Sequence, residues 1–140
     1  MNYLIFSLLA AVGYGFYNFF VGKTGGKITP FIGTLILSSV AILVALVVIV
    51  FTKFTGGKLY TTPDGIKFAV GAGLAVGIAE ILYFSAFAKN QNVSVVLPIV
   101  FTVTVLTGVV LGFVFNQEPI SAVKILGILF ALIGLFLLGK

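Results

Sequence analysis

The chain contains few side chains that could do chemistry. Asp64, Glu80 and Glu118 are its only acidic residues, and cysteine and histidine are absent. No cysteine or histidine cluster can therefore hold zinc or iron, and no Ser/His/Asp or Cys/His nucleophile can form. We expect a protein that is not an enzyme and that uses neither a metal nor another cofactor.

Glu80 is the acidic residue that most needs an explanation, because it interrupts a long apolar segment. A carboxylate within a membrane costs several kcal/mol unless it is protonated, paired or in contact with water. Helical spacing places it on one face with two glycines and two aromatic residues. These neighbours are Gly73, Gly77, Phe84 and Phe87. The pattern predicts either a proton- or cation-linked site or a protonated glutamic acid that hydrogen-bonds to a neighbouring helix.

Other polar and aromatic residues could complete a binding site. Tyr14 and Asn18 recur at helical spacing on the first apolar segment, with Tyr17 beside them, and they either line a cavity or hold helices together. Pro98 lacks the amide hydrogen of a helical hydrogen bond, so we expect a kink in the fourth segment. The expected substrate- or ion-binding residues are Glu80, Tyr14, Asn18, Tyr17, Tyr83, Phe84 and Pro98. The aromatic members would suit a solute with an apolar or cationic portion.

The helices that must position these residues can be recognised from the hydropathy of the sequence. Hydrophobic residues make up 61% of the 140 and charged residues 8%, whereas a soluble domain has about 25% charged residues. Because a small core cannot bury that much apolar surface, we expect an integral membrane protein. A hydrocarbon layer about 30 Å thick takes roughly 20 helical residues. The chain therefore predicts a single all-α domain over residues 1–140 with five transmembrane helices, at about 3–22, 30–52, 65–88, 93–115 and 119–138.

Local signals mark the helix starts and the helix contacts. We expect Thr29 to cap the second helix, with Pro30 in its first position, and Asp64 to cap the third. Several glycines recur at helical spacing and predict close contacts, either within one chain or between two chains. These glycines are Gly73, Gly77, Gly108, Gly112, Gly127 and Gly134.

The eight lysines carry all the positive charge of a chain whose net charge is +5. They lie singly between apolar segments, so we expect no nucleic-acid partner. With five helices, they divide four against four across the membrane, and the positive-inside rule gives no preferred orientation. One side has Lys53, Lys58, Lys67 and Lys124, and the other has Lys23, Lys27, Lys89 and Lys140. Either another feature fixes the orientation, or the protein inserts both ways and pairs antiparallel.

Several short motifs, in this order, resemble the EamA-like branch of the drug/metabolite transporter superfamily. They are Gly13-Tyr14-Gly15 followed by Asn18 and Lys23, the run Tyr83 to Ala88, Val95 to Ile99 around Pro98, Asn116 to Ile120, and the glycines Gly127 and Gly134. The chain departs from the family pattern at Ala86-Phe87, where an alanine-leucine pair is usual, and at Gln117, where glycine is usual. Members usually contain ten helices in two inverted halves, so the resemblance implies that this chain is one half and works as a pair.

These observations together predict a secondary transporter of a small organic solute that works by alternating access as a dual-topology homodimer. A metabolite, an amino acid or a lipophilic cation would fit, and Glu80 could couple transport to protons. The expected partners are the solute, the lipid bilayer and an antiparallel second copy, in the plasma membrane of a prokaryote. A membrane scaffold or assembly subunit and a passive channel are the alternatives.

Overall fold

The computed structural model describes residues 2–89, 92–117, 119 and 121–138. Within these ranges the regular structure is entirely α-helical and contains no strand, as the sequence predicts. The helices are α1 (Asn2–Lys23), α2 (Pro30–Phe54), α3 (Pro63–Ala88), α4 (Val93–Asn116) and α5 (Ala122–Leu138).

Four of these helices, α1 to α4, are long and apolar enough to cross a membrane. The fifth, α5, has 17 residues and would extend about 25 Å at the usual helical rise, slightly less than the thickness of a typical hydrocarbon layer. Five spans therefore stay a prediction, while the all-helical class is confirmed for the described residues.

Prolines occupy the first position of both α2 and α3. Thr29 is the N-cap residue of α2, and its backbone carbonyl accepts from the Gly33 amide at 3.0 Å, although its hydroxyl makes no capping hydrogen bond. The cap of α3 is Thr62, whose hydroxyl accepts from the Gly65 amide at 3.1 Å. The expectation that Asp64 caps α3 is therefore wrong. It lies within the first turn of the helix, where its carboxylate pairs with Lys67 at 3.1 Å.

The turn between α4 and α5 contains Gln117, where the family pattern usually has glycine. Gln117 caps α4 in the left-handed conformation, with φ 52°, and its amide donates to the Gly112 carbonyl. Glycine adopts this conformation at little cost, which accounts for the glycine that related chains usually have here. The helix α5 begins at Ala122, three residues after the expected start at Pro119. Glu118 and Ile120 lie outside the described residues.

The chain divides into two compact units, which are described separately. Unit 1 comprises residues 1–22 and 91–140, and in it α4 packs against α5. Unit 2 comprises residues 23–90, and in it α2 packs against α3. A single domain over residues 1–140 stays a prediction.

The centre of unit 2 is an aromatic cluster at the end of α3. Tyr83, Phe84 and Phe87 are all buried, and Phe87 is only 1% exposed. A Cβ atom built on Gly33 of α2 would lie 2.5 Å from Cε1 of Phe84, so glycine is needed for this approach. Gly33 lies near the start of α2 and Phe84 near the end of α3, which means that the two helices run antiparallel.

Most apolar side chains on the long helices are exposed. In the four candidate spans, no more than 11% of the most apolar window is buried inside the chain. Side chains such as Phe31, Leu35 and Val47 would be in contact with water if the chain were soluble. A lipid bilayer or a second protein must cover these faces.

Candidate functional site

Unit 1 contains a cavity of about 520 Å³ between α1 and α4, which is within the range of roughly 300–1,000 Å³ for small-molecule sites. The residues that line it are Ser7, Ala10, Ala11, Tyr14, Gly15, Asn18, Phe19, Val93, Leu97 and Phe101. Small residues on α1, namely Ala10, Ala11 and Gly15, leave this space open. The cavity thus arises from a helix face that carries little side-chain volume.

The polar groups in this cavity are uncharged. The Ser7 hydroxyl donates to the Tyr3 carbonyl at 2.8 Å, which leaves its oxygen able to accept. The Tyr14 ring packs edge-to-face against Tyr17, with ring centroids 6.2 Å apart. Asn18 is only 4% exposed and supplies an amide that can both donate and accept. The site can therefore bind an apolar solute and orient it through neutral hydrogen bonds.

Pro98 lies beside this cavity but is not among its described lining residues. It is buried inside α4, one residue after Leu97, which does line the cavity. The Thr102 hydroxyl donates to the Pro98 carbonyl. The proline therefore lies on the element that forms one wall of the cavity.

Glu80 belongs to unit 2, where it lies on α3 next to the aromatic cluster. It is half-buried and close enough to the Tyr83 phenol for an electrostatic interaction. Tyr83 packs edge-to-face on Phe87, with ring centroids 5.1 Å apart. The carboxyl group of Glu80 therefore lies at the edge of the unit's aromatic core, where it is partly shielded.

The structure gathers the predicted site residues into two groups, one in each unit. Tyr14, Tyr17 and Asn18 lie together on α1, and Glu80, Tyr83 and Phe84 lie together on α3. One common site for both groups stays a prediction. Leu97 and Phe101 are lining residues that were not predicted from the sequence, although their four-residue spacing on α4 could have indicated a shared face.

The predicted contact glycines lie in open space within this chain. A Cβ atom on Gly73, Gly77, Gly108, Gly127 or Gly134 would meet no atom of the described structure within 4 Å. The close contact that the structure shows between α2 and α3 uses Gly33 instead. A role of the predicted glycines in contacts with a second chain stays a prediction.

Comparison with known families agrees with the helix pattern and the motif order. Residues 1–140 match the EamA-like transporter family. The chain belongs to this family. No curated protein and no solved structure matches it.

Members of the EamA-like transporter family are membrane transporters of the drug/metabolite transporter superfamily. Membership confirms the resemblance drawn from the sequence motifs, and the match extends over all 140 residues. Together with four helices that are apolar enough to cross a membrane, it identifies the chain as an integral membrane protein.

Proposed function

We propose that this EamA-like chain is a secondary transporter of a small organic solute, with the cavity between α1 and α4 as part of the solute path. The observation that supports the proposal is a cavity of about 520 Å³ whose described lining is mostly apolar but includes the polar groups of Ser7, Tyr14 and the buried Asn18. These polar groups can hydrogen-bond to a solute or to water in the cavity.

The working unit is a homodimer of two oppositely oriented copies. The five predicted spans are half of the ten that the family resemblance implies, and an inverted second copy would supply the other half. The equal division of the lysines between the two sides is compatible with insertion in both orientations. The two copies rock against each other so that the cavity opens first to one side and then to the other. We assign the dimer to the plasma membrane of a prokaryote.

Glu80 links transport to protons. A half-buried carboxyl group within a membrane span is an established type of proton carrier, because its charged form is costly there and its neutral form is not. Its position beside Tyr83 allows the charge on Glu80 to influence the end of α3 that packs on α2. Protonation would therefore change the energy of a helix contact as well as the local charge.

Reconstitution of the purified chain into liposomes tests this function. A panel of metabolites, amino acids and lipophilic cations is offered with and without a proton gradient. We expect saturable uptake that the gradient accelerates. Glu80→Gln should remove the response to the gradient while the protein still inserts, because glutamine keeps the size of the side chain but cannot release a proton.

The matched control is Asp64→Asn, since Asp64 is 79% exposed in the first turn of α3 and pairs only with Lys67 in the described structure. Its uptake should respond to the gradient as the unmodified chain does. Unchanged gradient dependence in the Glu80→Gln variant would refute the role of Glu80. Flux without saturation would indicate a channel, and absence of flux for every solute would favour a scaffold.

A further inference from the structure

We propose that the cavity between α1 and α4 selects an uncharged solute with a flat aromatic ring, which deepens the proposed transport function and rests on it. Among the three solute classes compatible with the sequence, this inference excludes lipophilic cations and disfavours amino acids. It depends on the charge, shape and hydrogen-bonding groups of the cavity wall.

The described wall of the cavity contains no charged side chain. Its lining residues include neither a lysine nor a carboxylate. A charged solute would lose part of its water on entry and find no opposite charge to replace it, and contact with an aromatic ring would compensate a cation only in part. The wall therefore favours neutral solutes over charged ones of the same size.

The shape of the cavity wall favours a planar solute. On α1, the small residues Ala10, Ala11 and Gly15 lie among the larger lining residues Tyr14, Asn18 and Phe19, so a planar group can lie against the helix between those side chains. Aromatic rings line the cavity here, from Phe19 on α1 and from Phe101 on α4. Aromatic rings pack favourably against one another in stacked or edge-to-face arrangements. A flat aromatic solute thus contacts both the small residues and the aromatic rings.

The polar groups of the cavity can hydrogen-bond to a neutral group of the solute. The Asn18 amide has two donor hydrogens and an acceptor oxygen, so it can bond a solute while it keeps another partner. The Ser7 oxygen can accept, because its own hydrogen is donated to the Tyr3 carbonyl. A solute with one neutral N–H or O–H group would find acceptors here. Such groups orient a ligand without requiring a charge on it.

Three indole compounds of nearly equal ring size provide the test: neutral indole, cationic tryptamine and anionic indole-3-acetate. The chain contains no tryptophan, so indole fluorescence from the purified full-length protein in detergent micelles belongs to the ligand. We expect indole to bind about tenfold or more tightly than either charged compound, after subtraction of binding to empty micelles. Equal affinities, tighter binding of a charged compound, or no binding of all three would overturn the proposal.

A charge introduced into the wall gives an independent check. Asn18→Asp places a carboxylate in the cavity at nearly constant volume, and it should weaken indole binding and strengthen tryptamine binding. Asn116→Asp makes the same change at the exposed end of α4 and should leave the order of affinities unchanged. If Asn18→Asp does not fold, Ala11→Asp makes the same test on the same wall. An unchanged order in a folded cavity variant would contradict the assignment.

Binding and transport are measured separately, so the two proposals can fail separately. Selective binding of indole by a chain that transports no solute would support the assignment of the cavity and contradict the transport function. Saturable, gradient-driven uptake of a charged solute by a chain that does not bind indole would support transport and overturn the assignment.

Discussion

Hydroxyl groups within the helices mostly hydrogen-bond back to their own helix. Donation to the carbonyl four residues earlier occurs at Ser7, Ser39, Thr52, Ser85, Thr102 and Thr104. Thr34 differs, because its hydroxyl oxygen is buried and has no hydrogen-bond partner in the described structure. A buried hydroxyl in this state costs about 1–3 kcal/mol of stability. It lies next to Gly33, where α2 and α3 come closest.

Replacement of this hydroxyl should therefore be favourable. Thr34→Val keeps the shape of the side chain, and we expect the free energy of unfolding to stay the same or to rise by about 1 kcal/mol. Thr102→Val is the control, because its hydroxyl donates to the Pro98 carbonyl and its loss should lower stability by about 1 kcal/mol. Unfolding in mixed micelles measures both. Equal losses in the two variants would show that the Thr34 hydroxyl has a partner.

At the end of α4, the backbone adopts a conformation that costs free energy. Gln117 adopts a left-handed conformation that favours glycine. For a residue with a Cβ atom this conformation costs roughly 1–2 kcal/mol. The capping hydrogen bond to the Gly112 carbonyl maintains it. The sequence alone indicates a departure from the family pattern at Gln117. The left-handed backbone at this residue gives the physical reason why glycine is usual here.

Gln117→Gly should relieve that cost and raise the free energy of unfolding by about 1 kcal/mol. The adjacent change Asn116→Gly falls on the last helical residue and should lower stability by about 0.5–1 kcal/mol, because glycine is unfavourable in a helix. The two variants are compared by the same unfolding titration. A loss of stability in Gln117→Gly would mean that its side chain contributes more than its backbone conformation costs.

Sequence features differ in what they reveal about the structure. The length of an apolar segment indicates a membrane helix directly, so α1 to α4 were predicted to within a few residues at each end. Glycine spacing reports only which residues share a face, and it does not tell which face meets a neighbour. The sequence therefore favoured Gly73 and Gly77, whereas the contact between α2 and α3 uses Gly33. Tyr14 and Asn18 were predicted either to line a cavity or to hold helices together, and the structure places both beside a cavity whose opposite wall depends on how α4 approaches α1.

At the scale of the whole molecule, the chain exposes far more apolar surface than it buries. Lipid can cover side chains, but open glycines on a membrane helix also allow another backbone to come close. Gly73 and Gly77 share the face of α3 that carries Glu80, and both are open in this chain. This face is a candidate contact with the second copy of the proposed dimer.

Gly77→Ile should therefore weaken dimerisation in detergent, with a dissociation constant raised by about tenfold or more. The isoleucine side chain would hold the two backbones apart. Gly71→Ile is the matched control, because Gly71 is equally open but lies on the opposite side of α3. Light scattering over a range of protein concentrations measures the dimer fraction. The α3 contact is wrong if both variants dimerise equally well.

The proposed transport function requires that the cavity between α1 and α4 holds water and solute inside the membrane. The chain contains no cysteine, so single cysteines can be placed at Ala11 on the cavity wall and at Leu9, which is 64% exposed outside it. In reconstituted membranes, a small uncharged maleimide, which reacts with a thiolate and therefore with a cysteine in contact with water, should modify Ala11→Cys and leave Leu9→Cys unmodified, and indole should slow the reaction at Ala11→Cys. Equal resistance of both cysteines to the reagent would contradict the account.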